Sequence, residues 1–155
     1  MIDNLGIMQG RLLPKFQNRY QAHPLGYWKD EFTIAKEIGL SYIEFILDYN
    51  DYEKNPLMSD LGIKEIENII QKTGIVVRSI CADIFMQAPL HSKNNSISNT
   101  SKEILIKLIE NSAKLGITDI VIPCVDQSTL KGEDDQTRLI ENLTEPIKFA
   151  TKKKI

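Results

Sequence analysis

The sequence predicts a parallel α/β sheet built from four βα units, because one local pattern recurs three times along the chain. An apolar helical run ends in a Lys and then a Gly, and a short apolar strand follows. It reads Ala35-Lys36-Glu37-Ile38-Gly39 into Tyr42–Ile46, then Gln71-Lys72-Thr73-Gly74 into Ile75–Ile80, then Ala113-Lys114-Leu115-Gly116 into Ile120–Ile122. A Gly just past a helix supplies the left-handed residue that closes the last turn, and the Lys before it meets the negative end of the helix dipole. Helices alternating with β-branched strands are the pattern of a helix-covered parallel sheet. The loops add a second signal. Connections from strand to helix are long and polar, whereas those from helix to strand are a Gly plus a few residues. Parallel sheets bind ligands at the carboxyl ends of their strands, so loop length assigns the working face.

Taken in order, Leu5–Gln9 reads as the first strand, and a Pro- and Gly-containing connection runs on to Tyr27. Trp28, Phe32, Ala35 and Ile38 recur at helical spacing and predict the first helix. Tyr42–Leu47 is the second strand, Gly62–Lys72 the second helix and Ile75–Cys81 the third strand. A long loop then reaches Asn99. Thr100 and Glu103 have the spacing of a capping box, which predicts that the third helix starts there and continues to Leu115. Asp119–Pro123 is the fourth strand and 135–152 the fourth helix.

The chain has 155 residues, which suits one domain spanning 1–155, and a complete (β/α)8 barrel typically needs ~250. With 21 acidic against 19 basic residues the net charge is −2, so no basic stripe points to nucleic acid and nothing points to a membrane surface. No apolar run approaches the roughly 20 residues that span a bilayer. Cys81 and Cys124 are too few for a disulfide scaffold, and the simplest location is cytoplasmic. There is no GxGxxG after the first strand, no GxxxxGK[ST], no GxSxG and no CxxC, which removes dinucleotide, P-loop and serine-hydrolase readings.

The residues able to carry chemistry lie at the strand ends. Gln9 and Arg11 are two apart and are expected to project together, with Gly10 between them letting something approach the backbone. Arg11 has the planar fork that suits a carboxylate or phosphate. Glu44 sits between Ile43 and Phe45, where a carboxylate is costly unless partnered. Catalysis, binding of a substrate hydroxyl and an ion pair with Arg11 all remain open for it. Ser79, Cys81 and Asp83 fall on one face at period two, and Asp83 is the best functional candidate there. Asp126, past the fourth strand, either binds a hydroxyl or caps its loop. Neither His23 nor His91 has metal-ligand spacing, so both are expected at the surface. Small and polar residues at Gly6, Glu44, Ser79 and Cys81 favour a barrel interior over a second helix-covered face.

With these residues in place, the chain resembles a sugar phosphate isomerase/epimerase of the xylose isomerase-like TIM-barrel superfamily. The resemblance is carried by Gly6-Ile7-Met8-Gln9-Gly10-Arg11-Leu12, by Gln21-Ala22-His23-Pro24 with Trp28 and Glu31-Phe32, and by Tyr42-Ile43-Glu44. Cys81-Ala82-Asp83 with Phe85-Met86, and Asn111–Ile117 leading to Ile122-Pro123-Cys124-Val125-Asp126, extend it. It implies a (βα)4 half of a TIM barrel with helices on the outer face. It also implies a divalent metal, Mn²⁺ or Mg²⁺, and carboxylates that move a proton beside a carbonyl or hydroxyl carbon of a sugar or polyol. In that superfamily the metal ligands come from strands five to eight. No metal is therefore expected in this chain alone, which is expected to be inactive by itself. Gln9, Arg11, Glu44, Asp83 and Asp126 map to the substrate-facing rim. Two other readings stand beside this one: a non-catalytic half-barrel that pairs with another chain, and a self-contained doubly wound α/β domain. A half-barrel would bare two strand edges and an inner face of Ile, Val and Met, and would self-associate or join a missing carboxyl-terminal half.

Overall fold

The computed structural model of the protein describes residues 4–155. Four parallel strands, β1 (Gly6–Met8), β2 (Tyr42–Ile46), β3 (Val76–Cys81) and β4 (Asp119–Val121), pair in the order β1-β2-β3-β4. That order excludes the doubly wound alternative, in which the chain reverses direction across the sheet. The helices are α1 (Asp30–Glu37), α2 (Asp60–Thr73), α3 (Ile84–Gln87), α4 (Asn95–Leu115) and α5 (Glu133–Lys153). Right-handed crossovers between sequential strands place the four long helices on one face. The core lies between the layers, where Phe32 and Ala35 of α1, Ile66 of α2 and Leu108 of α4 meet Ile43, Phe45, Val77 and Ile80.

The helix ends follow the local pattern. Gly74 and Gly116 close α2 and α4 in the left-handed region, at φ 79° and 70°. The start of α4 differs from expectation. Asn94 is extended, and its side chain accepts the Ser96 N–H at 3.0 Å, so the helix begins there and runs through Thr100. Thr100 then has no end to cap. The span expected to be a loop before it also contains the short α3.

One irregularity shapes the sheet. The β2–β3 register shifts between Ile43 and Glu44, so Tyr42 pairs with Val76 and Glu44 with Ser79. The extra residue leaves Arg78 over the Tyr42 ring at 5.3 Å, on the face away from the helices. Tyr42 in turn covers Gly6, where any Cβ would lie 2.1 Å from its ring. The inner face is therefore a mixed surface of Tyr42, Arg78, Glu44, Ser79 and Asp119 with Met8 and Val121, not the expected sheet of Ile, Val and Met. Among the described residues no helix is long and apolar enough to cross a membrane.

Candidate functional site

The carboxyl ends of β1, β2 and β3 carry two layers of polar groups, one buried and one open. The buried layer begins where β1 stops. Gln9 N donates to the Glu44 carbonyl at 2.9 Å, and Gly10 then turns to φ 87°. A Cβ on Gly10 would stand 2.1 Å from the Tyr20 carbonyl oxygen, so it is the chain itself that approaches this backbone. Period-two alternation ends at that turn, and Gln9 and Arg11 do not project together. Gln9 is fully buried and Arg11 is exposed.

The Gln9 side-chain oxygen Oε1 accepts the Ile46 N–H at 3.0 Å and lies 3.2 Å from His23 Nδ1. An oxygen already accepting can only accept again, so His23 carries its proton on Nδ1. The expected surface position of His23 is corrected here. It is 3 % exposed and packs against Trp28 and Phe45, with ring centroids 6.0 and 5.2 Å away. Burial pushes its pKa down to about 3, which keeps the ring neutral. His23 Nε2 and Gln9 Nε2 have no hydrogen-bond partner among the described residues.

Glu31 was not singled out as a site residue, yet it holds this end together. Its buried carboxylate accepts the Gly10 N–H at 2.7 Å and the Leu12 N–H at 3.0 Å. Burial raises its pKa, and the backbone donors of Gly10, Leu12 and Arg11 oppose that rise. The signal was present in the sequence. Glu31 shares the inward stripe of α1 with Phe32 and Ala35, where an acid needs a partner.

The open layer is a row across the sheet. Arg11 Nη2 donates to Gln21 Oε1 at 3.5 Å, Gln21 Nε2 donates to Asp83 Oδ2 at 3.3 Å, and the Cys81 thiol donates to Asp83 Oδ1 at 3.1 Å. Next to this row Ser79 donates to Glu44 Oε2 at 2.6 Å, so the partner of Glu44 is Ser79 and not Arg11. Gln21, which carried part of the resemblance, is thereby the link between Arg11 and Asp83. Burial first, then the neighbouring Asp83, pushes the Cys81 thiol up, so it is a protonated donor and a poor nucleophile. Asp126 stands apart from the row. It is exposed at φ 51°, opens a single 3-10 turn, and its carbonyl accepts the Thr129 N–H at 3.2 Å.

Two further features lie outside the expected set. His91 is not on the surface but 7 % exposed, and burial lowers its pKa. It lines an open cavity of about 680 Å³ between the loops after β3 and β4, together with Lys93, Gln127, Lys131 and Asp135. Among the described residues no group of three or more His, Cys, Asp or Glu is arranged to hold a metal. The donor set present therefore does not fit the divalent ion that the resemblance implies.

Comparison with known proteins agrees with this architecture. A putative L-ribulose-5-phosphate 3-epimerase of Haemophilus influenzae is 32% identical over 128 residues, covering 79% of this chain and 42% of that protein. An L-ribulose-5-phosphate 3-epimerase of Salmonella heidelberg is 25% identical over 130 residues, covering 83% of this chain and 46% of its own. The chain thus spans less than half the length of these curated relatives. Two solved structures share the fold. D-psicose 3-epimerase with D-fructose aligns with a TM-score of 0.64 at 19% identity, covering 83% of this chain and 44% of its own. An Escherichia coli 3-keto-D-glucoside 4-epimerase aligns with a TM-score of 0.60 at 17% identity, over 81% and 47%. The family model described as xylose isomerase-like TIM barrel matches residues 32–155. Four sequential parallel strands, helices on one face and these matches lead to one conclusion: the chain belongs to the xylose isomerase-like TIM-barrel family.

Proposed function

We propose that these residues form the substrate-facing rim of a sugar or sugar-phosphate epimerase, and that groups outside them supply the metal and the proton-transfer carboxylates. The supporting observation is the Arg11–Gln21–Asp83–Cys81 row at the carboxyl end of the strands. Arg11 is exposed and presents its fork of donors to a phosphate or to sugar oxygens. Asp83 is held from two sides, so its remaining lone pairs accept sugar hydroxyls without reorientation. Glu44, fixed by Ser79, offers a second acceptor further down the inner face. Gln9 serves this rim from behind, by joining β1 to β2, and Asp126 belongs to its outer border. The divalent metal, Mn²⁺ or Mg²⁺ in this reading, is held by residues that this chain does not contain. The 155 residues alone then bind sugar weakly and do not turn it over.

The test is a titration of the chain with L-ribulose 5-phosphate, the sugar named for the curated relatives, followed by amide NMR. Saturable shifts centred on Arg11, Gln21 and Asp83, lost in Arg11→Ala and Asp83→Asn, are expected. Shifts centred elsewhere would refute the rim assignment. Manganese-dependent epimerisation by the chain alone would refute the division of labour.

A further inference from the structure

Two members of the open row, Arg11 and Gln21, come from the long connection between β1 and α1. A loose connection of that length would lose conformational freedom when it met a ligand, and affinity would fall accordingly. Here each of the two side chains sits between contacts to one buried carboxylate. Arg11 is flanked by Gly10 and Leu12, whose N–H groups donate to Glu31 Oε2 and Oε1 at 2.7 and 3.0 Å. Gln21 lies between Arg19 and His23. The Arg19 guanidinium donates to Asp48 Oδ1 at 2.9 Å, and the His23 N–H donates to Asp48 Oδ2 at 2.8 Å. Glu31 is fully buried on α1, and Asp48, just after β2, is 7% exposed. Both oxygens of each acid therefore go to the connection, one on either side of a rim residue.

We infer that Glu31 and Asp48 are positioning residues, Glu31 presetting Arg11 and Asp48 presetting Gln21 for the oxygens of a sugar or sugar phosphate. The direct contact between the two rim side chains is too long to do this alone, since Arg11 Nη2 and Gln21 Oε1 are 3.5 Å apart. The span between the two clamps is closed on itself. Phe16 and Arg19 exchange backbone hydrogen bonds of 3.0 and 2.9 Å around Gln17 and Asn18, which have positive φ. With both ends held and the middle folded back, the direction of each rim side chain is set before any ligand arrives. Stability alone is a poor reason for the acid on α1, because an apolar residue beside Phe32 and Ala35 would pack there with no carboxylate to desolvate. The inference rests on the rim reading for the nature of the ligand, and on these hydrogen bonds for the placement.

Side-chain relaxation of Arg11 Nε and Gln21 Nε2 in the free chain tests it, together with the titration by L-ribulose 5-phosphate. The isosteric variants Glu31→Gln and Asp48→Asn each replace one acceptor oxygen by a donor facing another donor. Glu31→Gln should loosen the Arg11 side chain and Asp48→Asn the Gln21 side chain, each weakening the sugar by about threefold or more. Arg78, held over the Tyr42 ring, should stay unchanged in both. Variants that lose stability in urea while Arg11 and Gln21 keep wild-type relaxation and affinity would make the carboxylates mere supports of the fold and overturn the inference. If either variant fails to fold, hydrogen exchange of the wild type decides. Protection of the Gly10, Leu12 and His23 amides about tenfold or more above Gln17 and Asn18 supports the clamps, and equal exchange overturns them. A wild-type chain indifferent to the sugar would overturn the rim reading, while the relaxation data still decide the placement.

Discussion

At the β1 edge the chain folds back over itself, whereas at the β4 edge it leaves a groove. The loop after β1 is held by the Glu31 carboxylate, and His23, Trp28, Phe32 and Phe45 pack into one aromatic cluster behind it. Ile43, Phe45 and Ile46 of β2 are fully buried as a result. At the other side, Asp119 and Val121 of β4 are exposed and Ile120 is half-buried, although the same Lys-then-Gly helix ending precedes both β2 and β4. The difference shows what a local pattern decides. It sets where a strand forms, but burial depends on how many neighbours that strand acquires. β2 has strands on both sides and an overlying loop, and β4 has one strand and one helix pair.

That contrast is sharpest in the core. Phe45→Ala removes a ring that touches His23, Trp28 and Phe32, and is expected to cost about 3–5 kcal/mol. Ile120→Ala at the β4 groove is expected to cost about half of that or less, because the site is already partly open. Urea unfolding of the two variants compares them, and equal losses would break the distinction between the edges.

Gly10→Ala comes next. A left-handed φ of 87° costs an Ala about 1–2 kcal/mol, and the Tyr20 carbonyl, 2.1 Å from the new Cβ, forces a backbone shift. The expected total is about 2–4 kcal/mol. The amide shifts of Gln9–Leu12 should move with it, while those of β4 stay in place.

His23 gives the β1 edge an acid sensitivity. Its folded pKa is lowered to about 3 from 6.5, so below pH 6.5 the unfolded chain takes a proton that the folded one refuses. Stability is therefore lost as pH falls from 6.5 towards 3, at up to about 1.4 kcal/mol per pH unit. Between pH 6.5 and pH 5 the wild type should lose about 2 kcal/mol more than His23→Gln. Parallel pH profiles would show that burial of the neutral ring is not the cause. The smallest effect is expected at Val121→Thr, on the exposed β4 face, at about 0.5 kcal/mol or less.

The candidate site was only partly legible in the sequence. Asp83 beside Cys81 was readable, because period-two spacing held to the end of β3. The pairing of Gln9 with Arg11 failed because the backbone stops being extended at Gly10. Gln21 is 62 residues from Asp83, and such a contact leaves no periodic trace. His23 looked like a loop histidine, and only the ring of aromatics assembled from α1 and β2 buries it. The Arg78 bulge was equally invisible, since register is a property of two strands and not of one.

The sequence by itself determined the four strands and the parallel α/β class. Those depend on the apolar spacing, helix-ending glycines and loop lengths that neighbours a few residues apart supply. The tertiary structure alone decided which polar groups are buried and which face outward. Gln9, His23 and Glu31 went inward and Arg11, Gln21 and Asp83 formed the open row, because desolvating a polar group is tolerable only where distant parts of the chain bring it a partner.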